Sequence, residues 1–319
     1  MSRLVLFRAA SGPEIGIGHA MRARAVAEEV RSLGGRPRFV LDDASTALFL
    51  AASGFEADVE GEVSGWAEDP AAGAWLDGFG DWTPRARVLR AAGTPIFLVE
   101  NRTAARDLAD RIVYPALHHR PDAWDLAHAE RVLAGAEWIP LARDVVETAP
   151  APRRDVDVLV TFGGSDPLHT TERVLVALGG ADLRVAVAIG PHMAARRAWI
   201  ERMAGGVSGT TVLPTGARLA AWMARSRVAV TALGTTLCEL AYLGTPALVV
   251  ANYVHDREAM AWYAEHGPHH PVGVSDELTD AALAALLRDG FARLADRAVR
   301  PIPHLGEGAR ALARLLLSD

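Results

Sequence analysis

Short runs of aliphatic and β-branched residues recur along this chain, separated by stretches in which apolar side chains return every three or four positions. Leu4 to Phe7, Arg38 to Leu41, Pro95 to Val99, Val156 to Thr161, Arg184 to Ile189, Val228 to Thr231 and Ala247 to Val250 have the length and composition of buried strands. Between them, Ala23, Val26, Ala27, Val30 and Leu33 fall on one helical face, as do Leu219, Trp222 and Met223. Strands apolar on both faces need helical cover on both, so the alternation predicts an α/β fold built on parallel sheets. With 319 residues, 50% hydrophobic and 23% charged, the chain can supply two ordinary cores. The alternation breaks once, at Glu147-Thr-Ala-Pro-Ala-Pro-Arg-Arg154, where two prolines favour an extended linker. The expected organisation is an N-terminal domain of residues 1–146, a C-terminal domain of residues 155–303, and a terminal segment 304–319 carrying an apolar-striped helix from Gly308 to Leu317.

A formal net charge of -6 offers no basic field to phosphate backbones or anionic lipid, which argues against nucleic-acid and membrane-surface partners and for a small-molecule one. Cys238 is the single cysteine and lies in an apolar stretch, so neither a disulfide nor a thiolate metal cluster is expected. The opening Met1-Ser2-Arg3 runs straight into a strand, and nothing approaches the ~18 uncharged residues of a membrane span, so the expectation is a cytoplasmic protein without signal peptide or anchor. All 33 basic residues are arginine. That removes the Gly-Lys pair of a phosphate-binding Walker loop and the titratable amine of a Schiff-base enzyme.

Three glycine-rich turns follow expected strands. In the first, Arg8-Ala-Ala-Ser-Gly-Pro-Glu-Ile-Gly-Ile-Gly-His-Ala-Met-Arg22, Gly16 and Gly18 allow close backbone approach and His19 stands at the mouth of the following helix. An imidazole there is either a general base, able to take a proton from water or a sugar hydroxyl, or a side chain that merely caps the turn. A dinucleotide fingerprint is disfavoured, although Asp42 and Asp43 end the second strand where a ribose-binding acid would stand. Met21 occupies the third-glycine position, and the loop is too long for the tight first turn.

The second turn, Thr161-Phe-Gly-Gly-Ser-Asp-Pro167, offers the backbone N–H groups of Gly163 and Gly164 and the hydroxyl of Ser165 to a phosphate. In the third, Gly234, Thr235 and Thr236 open a helix, and Glu239 lies one turn further in, where a carboxylate can accept from both hydroxyls of a ribose. Either turn alone could be a plain strand-to-helix connection; the two together favour a diphosphate site. The pairs His118-His119 and His269-His270 have no Asp or Glu at ligand spacing and are expected on solvated loops, so no metal site is expected. Trp66, Trp75, Trp82 and Trp124 are expected in loop-like segments as core or lining, with no basic stripe to make them nucleic-acid platforms.

Four blocks carry a resemblance: Phe7-Arg8 through Ile15-Gly16-x-Gly18-His19-x-x-Arg22; Gly135-Ala-Glu-Trp-Ile-Pro-Leu-Ala-Arg143; Phe162-Gly-Gly-Ser-Asp166; and Gly234-Thr-Thr-x-x-Glu239-Leu-Ala-x-x-Gly244-x-Pro246. In this order and spacing, over nearly the whole chain, the sequence resembles the UDP-sugar hydrolase family of pseudaminic acid biosynthesis and its spore-coat polysaccharide relatives. That superfamily is also similar to the peptidoglycan N-acetylglucosaminyltransferase in its GT-B fold. The resemblance implies two Rossmann-like domains with parallel sheets facing a cleft. It implies UDP on the C-terminal domain at Gly163, Gly164, Ser165, Gly234, Thr235, Thr236 and Glu239. It also implies a sugar end formed by His19, Arg22, Asp77 and His255.

The implied activity is metal-independent hydrolysis of a UDP-activated amino-deoxy sugar, without cofactor, in which water activated by His19 attacks the anomeric carbon and expels UDP. The alternative on the same fold is an inverting glycosyltransferase, with an acceptor hydroxyl in place of water; a non-catalytic nucleotide-sugar binding protein is a third class. Three departures from the family lie at the sugar end. Ala10 stands where the family has an aspartate, Asp77-Gly78-Phe79 where it has Asp-Ser-Tyr, and His255-Asp256 where it has Asn-Gln, with Asn252 the nearest amide.

Overall fold

The computed structural model describes residues 2–61, 70–151, 153–214 and 217–318, so Trp66 lies outside the described residues. In chain order the elements are β1 (Leu4–Ala9), α1 (Gly18–Ser32), β2 (Arg36–Leu41), α2 (Ala44–Ala52), β3 (Glu56–Val59), β4 (Gly73–Asp77), α3 (Thr83–Ala91), β5 (Ile96–Val99), β6 (Arg111–Tyr114), α4 (Ala123–Ala127), β7 (Val132–Ala134) and α5 (Arg143–Val146). There follow β8 (Val156–Thr161), α6 (Thr170–Ala177), β9 (Val185–Ala188), α7 (Arg197–Gly205), β10 (Thr210–Val212), α8 (Leu219–Arg225), β11 (Ser226–Thr231), α9 (Thr235–Tyr242), β12 (Ala247–Ala251), α10 (Arg257–Glu265), β13 (His270–Val274), α11 (Asp280–Leu294) and α12 (Gly308–Leu316). The chain forms two compact units: one runs to Arg143 and takes back Pro303 onward, and the other is Asp144–Ile302.

In the first unit a 7-stranded parallel sheet has the order β3-β2-β1-β4-β5-β6-β7 among the described residues. Alternate side chains of each strand serve opposite faces. Phe7 pairs in register with Phe39 and Trp75 and stacks on Phe39 at 5.1 Å between ring centres, on the face covered by α1. Leu6, Leu76 and Leu98 fill the other face with Ala86 and Leu89 of α3. Trp75 is thus a fully buried strand residue, not a loop residue as expected: Gly-Ala-Trp-Leu-Asp lacks β-branched side chains, and its neighbours on both sides make it a strand.

The terminal helix α12 belongs to this unit because small residues let it approach closely. A Cβ at Gly308 would come within 2.4 Å of the Ile139 carbonyl, and one at Gly73 within 3.0 Å of the Leu316 carbonyl. Leu312, Ala313 and Leu316 complete the core beside α1. The Gly135–Arg143 block, one of the four in the resemblance, therefore supports α12.

The second unit is a 6-stranded parallel sheet of order β10-β9-β8-β11-β12-β13, its two faces filled from α6, α7 and α11 and from α8, α9 and α10. Arg154, at the end of the proline-containing stretch, is tied into this unit by bonds to the carbonyls of Ser226 at 2.7 Å and Gly244 at 2.8 Å. Both sheets run outward in one direction and restart beside their first strand, so the order reverses between β1 and β4 and again between β8 and β11. Ligands of open α/β sheets bind outside the carboxyl ends of the strands at such reversals. No helix among the described residues is long and apolar enough to cross a membrane.

Candidate active site

At the reversal in the first unit, β4 ends on Asp77 and β1 leads through the glycine turn into α1. Reciprocal backbone bonds between Gly12 and Gly16, at 3.1 and 2.7 Å, close the loop on itself and deliver the chain to Gly18, where α1 begins. His19 and Arg22 lie three residues apart on α1, hence on one face, and that face meets Asp77. His19 Nδ1 is 2.7 Å from Asp77 Oδ1, while Arg22 donates from Nε to Oδ2 and from Nη2 to Oδ1, each at 2.6 Å. Trp75 Nε1 adds a bond to Oδ2 at 3.3 Å. The structure thus brings together His19, Arg22 and Asp77, all three buried.

Burial would raise the Asp77 carboxyl, but the charges of Arg22 and His19 and their hydrogen bonds hold it down at about 2. Burial would lower Arg22, yet Asp77 and Glu100 push its pKa upward and keep it charged. An ionised carboxylate only accepts, so Asp77 favours a proton on the His19 Nδ1 that faces it. An imidazole oriented in this way turns its other nitrogen away from the carboxylate. Phe79, 72% exposed, sets its ring edge-on to His19 at 4.8 Å between centres and marks the solvent side of the cluster. The Cβ of Ala10, at the first departure from the family, lies 2.7 Å from where a Cβ on Gly78 would stand, so two departures share one tight contact. Asp42 and Asp43 are otherwise engaged: Asp42 pairs with Arg8 and accepts from the Ser11 N–H, and Asp43 caps α2.

At the reversal in the second unit, the turns after β8 and β11 differ. Gly163 has φ 73, a backbone that favours glycine. The Gly164 carbonyl accepts from the His192 N–H at 3.0 Å, and Arg196 donates to the carbonyls of Ser165 and Asp166 at 3.0 and 2.9 Å. A peptide N–H points opposite to its carbonyl. Bracing those carbonyls from one side therefore aims the N–H groups of Ser165 and Asp166 to the other. The N-terminus of α6, however, is filled by the protein itself, since the Asp166 carboxylate accepts from Thr170 N and Thr171 N at 2.9 Å each. By contrast α9, opened by Gly234 and Thr235, has no side-chain cap. The two turns thus differ: the first N–H groups of α6 are met by Asp166, and those of α9 by no capping side chain.

Glu239 lies half-buried one turn into α9, and no side chain among the described residues hydrogen-bonds to it. Burial, then the charge of Asp144, pushes its carboxyl up to about 7.

Among the solved structures that are similar, three are matched over nearly their whole length. MurG of Acinetobacter baumannii shares 15% identity, covers 98% of this chain and 99% of its own, and has a TM-score of 0.64. CalG4, the calicheamicin glycosyltransferase, shares 16% with 99% and 94% covered and a TM-score of 0.57. UDP-GlcNAc 2-epimerase from Neisseria meningitidis, bound to UDP-GlcNAc, shares 12% with 99% and 100% covered and a TM-score of 0.56. The fold is GT-B. Neither a protein-family model nor a curated protein sequence matches the chain.

Within this GT-B chain, His255 belongs to the second unit, where its exposed ring stacks on Tyr253 at 5.1 Å. Asn252 stands close by, with its Oδ1 shielded from solvent and without a hydrogen-bond partner among the described residues. The histidine pairs are not solvated as expected. His119 stacks on Tyr114 at 3.8 Å, and His269 is buried with Nε2 2.7 Å from the Leu237 carbonyl, burial pushing it down to about 4. An aromatic neighbour and a helix carbonyl provide the burial that the pairs alone do not reveal. Among the described residues, no three His, Cys, Asp or Glu side chains converge as a metal site. Sequence reasoning missed Glu100, whose Oε2 receives Arg22 Nη1 at 2.6 Å.

Proposed function

We propose that this GT-B protein is a metal-independent hydrolase of a UDP-activated amino-deoxy sugar, of the kind its resemblance to the pseudaminic acid family implies. The observation that supports it most is the buried Asp77–His19 pair at the β1/β4 reversal, in which a carboxylate 2.7 Å from Nδ1 orients the imidazole. His19 takes a proton from water as the water oxygen bonds to the anomeric carbon and the bond to the diphosphate breaks. Asp77 stabilises the imidazolium that forms, and Arg22 keeps Asp77 ionised. The leaving UDP gains charge, which the N–H groups at α9 and the Gly163–Ser165 turn are suited to stabilise. Glu239 accepts from the ribose. Two of the similar structures are named for sugar-nucleotide or glycosyl-transfer chemistry, in keeping with this reading.

A second reading, glycosyl transfer, is favoured by Phe79: an exposed aromatic beside His19 offers a platform for an acceptor larger than water. Incubation with UDP-sugars, with and without candidate acceptors, separates the two. Free sugar and UDP formed without acceptor, unaffected by EDTA, is the expected result. UDP release only with acceptor would favour transfer, and loss of activity in EDTA restored by a divalent ion would contradict the metal-independent mechanism.

A further inference from the structure

Arg22 makes contacts on two sides. Its Nε and Nη2 fork onto Asp77, its Nη1 reaches Glu100 at 2.6 Å, and its Nη2 also lies 2.9 Å from His19 Nδ1. That last contact sets a choice. If Arg22 donated to Nδ1, the imidazole proton would sit on Nε2, and the Nδ1 lone pair would face Asp77 Oδ1 at 2.7 Å, lone pair against carboxylate. If instead Arg22 keeps both donors on Asp77, Nδ1 can hold the proton and donate it to the same carboxylate. Which network forms depends on where the guanidinium plane is held. Glu100 is the group that holds its far edge.

Glu100 is built for that placement at some local cost. Its φ is 51, a left-handed backbone that is unfavourable for a residue with a Cβ. It is kept there by its own N–H bond to the Val113 carbonyl at 2.9 Å. The next residue, buried Asn101, donates to the carbonyls of Gly78 at 3.1 Å and Gly80 at 2.8 Å, fixing the segment that follows Asp77. The end of β5 thus supports both partners of His19. Strained backbone at a non-glycine residue concentrates where a side chain must be aimed.

We infer that Glu100 is a positioning residue: by holding Arg22 Nη1 it keeps the guanidinium fork on Asp77 and so places the imidazole proton of His19 on Nδ1, with Nε2 bare. The importance of this for turnover rests on the function proposed above; the placement of the proton does not.

The test uses the full chain labelled with 15N. Long-range proton–nitrogen correlations report the His19 tautomer, assigned by the loss of its signals in His19→Asn, in wild type, Glu100→Gln and Glu100→Gly. Glycine suits the left-handed backbone, so Glu100→Gly removes the side chain without a folding penalty at that residue. Wild type and Glu100→Gln, which still offers an acceptor oxygen, are expected to hold the Nδ1–H tautomer, and Glu100→Gly to lose it to a mixture or to Nε2–H. On a turned-over nucleotide sugar, Glu100→Gly should then lose kcat, within the roughly 10²–10⁴-fold that a general base supplies, with KM little changed. A tautomer shift in a protein that turns over no nucleotide sugar would support the inference while refuting the proposed function. An Nδ1–H tautomer unchanged in Glu100→Gly, with or without a lower melting temperature, would overturn the inference, as would an Nε2–H tautomer in the wild type.

Discussion

A carboxyl pushed up to about 7 by burial and by Asp144 leaves Glu239 divided between its neutral and ionised forms at neutral pH. Between its ordinary value of 4.5 and about 7 the native state keeps a proton that the unfolded chain has released, so stability falls as pH rises through that window. Glu239→Gln should remove this fall. Its melting temperature is expected to match wild type near pH 4.5 and to exceed it at pH 8 by a few degrees, ~1 kcal/mol being worth roughly 2–4 °C in a domain of this size. Calorimetric scans across pH check this, and a difference that does not grow with pH would contradict the raised titration. The same substitution should weaken UDP by ~1–3 kcal/mol, because a carboxylate can accept from both ribose hydroxyls where an amide presents one oxygen. In isothermal titration, wild-type affinity should also rise more steeply from pH 6 to pH 8 than that of the Gln variant, which retains only the change due to the terminal phosphate of UDP.

The turn after β8 depends on the loop after β9. A Cβ at Gly190 would meet the Gly163 and Gly164 carbonyls at 2.2 and 2.4 Å, so Gly190→Ala must displace the turn. Overpacking of this kind costs ~1–3 kcal/mol of stability. It should also weaken UDP while leaving the His19 cluster in the other unit intact; a folded Gly190→Ala protein with wild-type UDP affinity would remove the Gly163–Ser165 turn from the site. Legibility in the sequence divides at this scale. The seven strands expected from aliphatic runs are all strands in the structure, but β6, Arg-Ile-Val-Tyr, is a run of the same kind that was passed over. By contrast, β4 has no β-branched residue and β13 opens with His-Pro-Val-Gly, so neither stood out. Asp77 was reached through resemblance, not through its strand. Glu100 was not reached at all, since its meaning depends on β5 lying beside β4, a fact of sheet order that no local pattern carries. His19, Gly163 and Gly234 were legible because glycine turns after strands keep their chemistry in a few consecutive residues.

Under the proposed function the two units take separate tasks, a base with its orienting carboxylate in the first and nucleotide binding in the second. The first unit places His19, Arg22 and Asp77 at the reversal of its sheet and the second its two glycine turns, and the division makes the two tasks separable by mutation. The most direct test is to measure kcat, UDP affinity and melting temperature together for His19→Asn. Loss of turnover by roughly 10²–10⁴-fold, with UDP affinity near wild type, is the predicted result. A His19→Asn protein that melts lower yet turns over at the wild-type rate would show that the imidazole only supports the turn, and would contradict the mechanism.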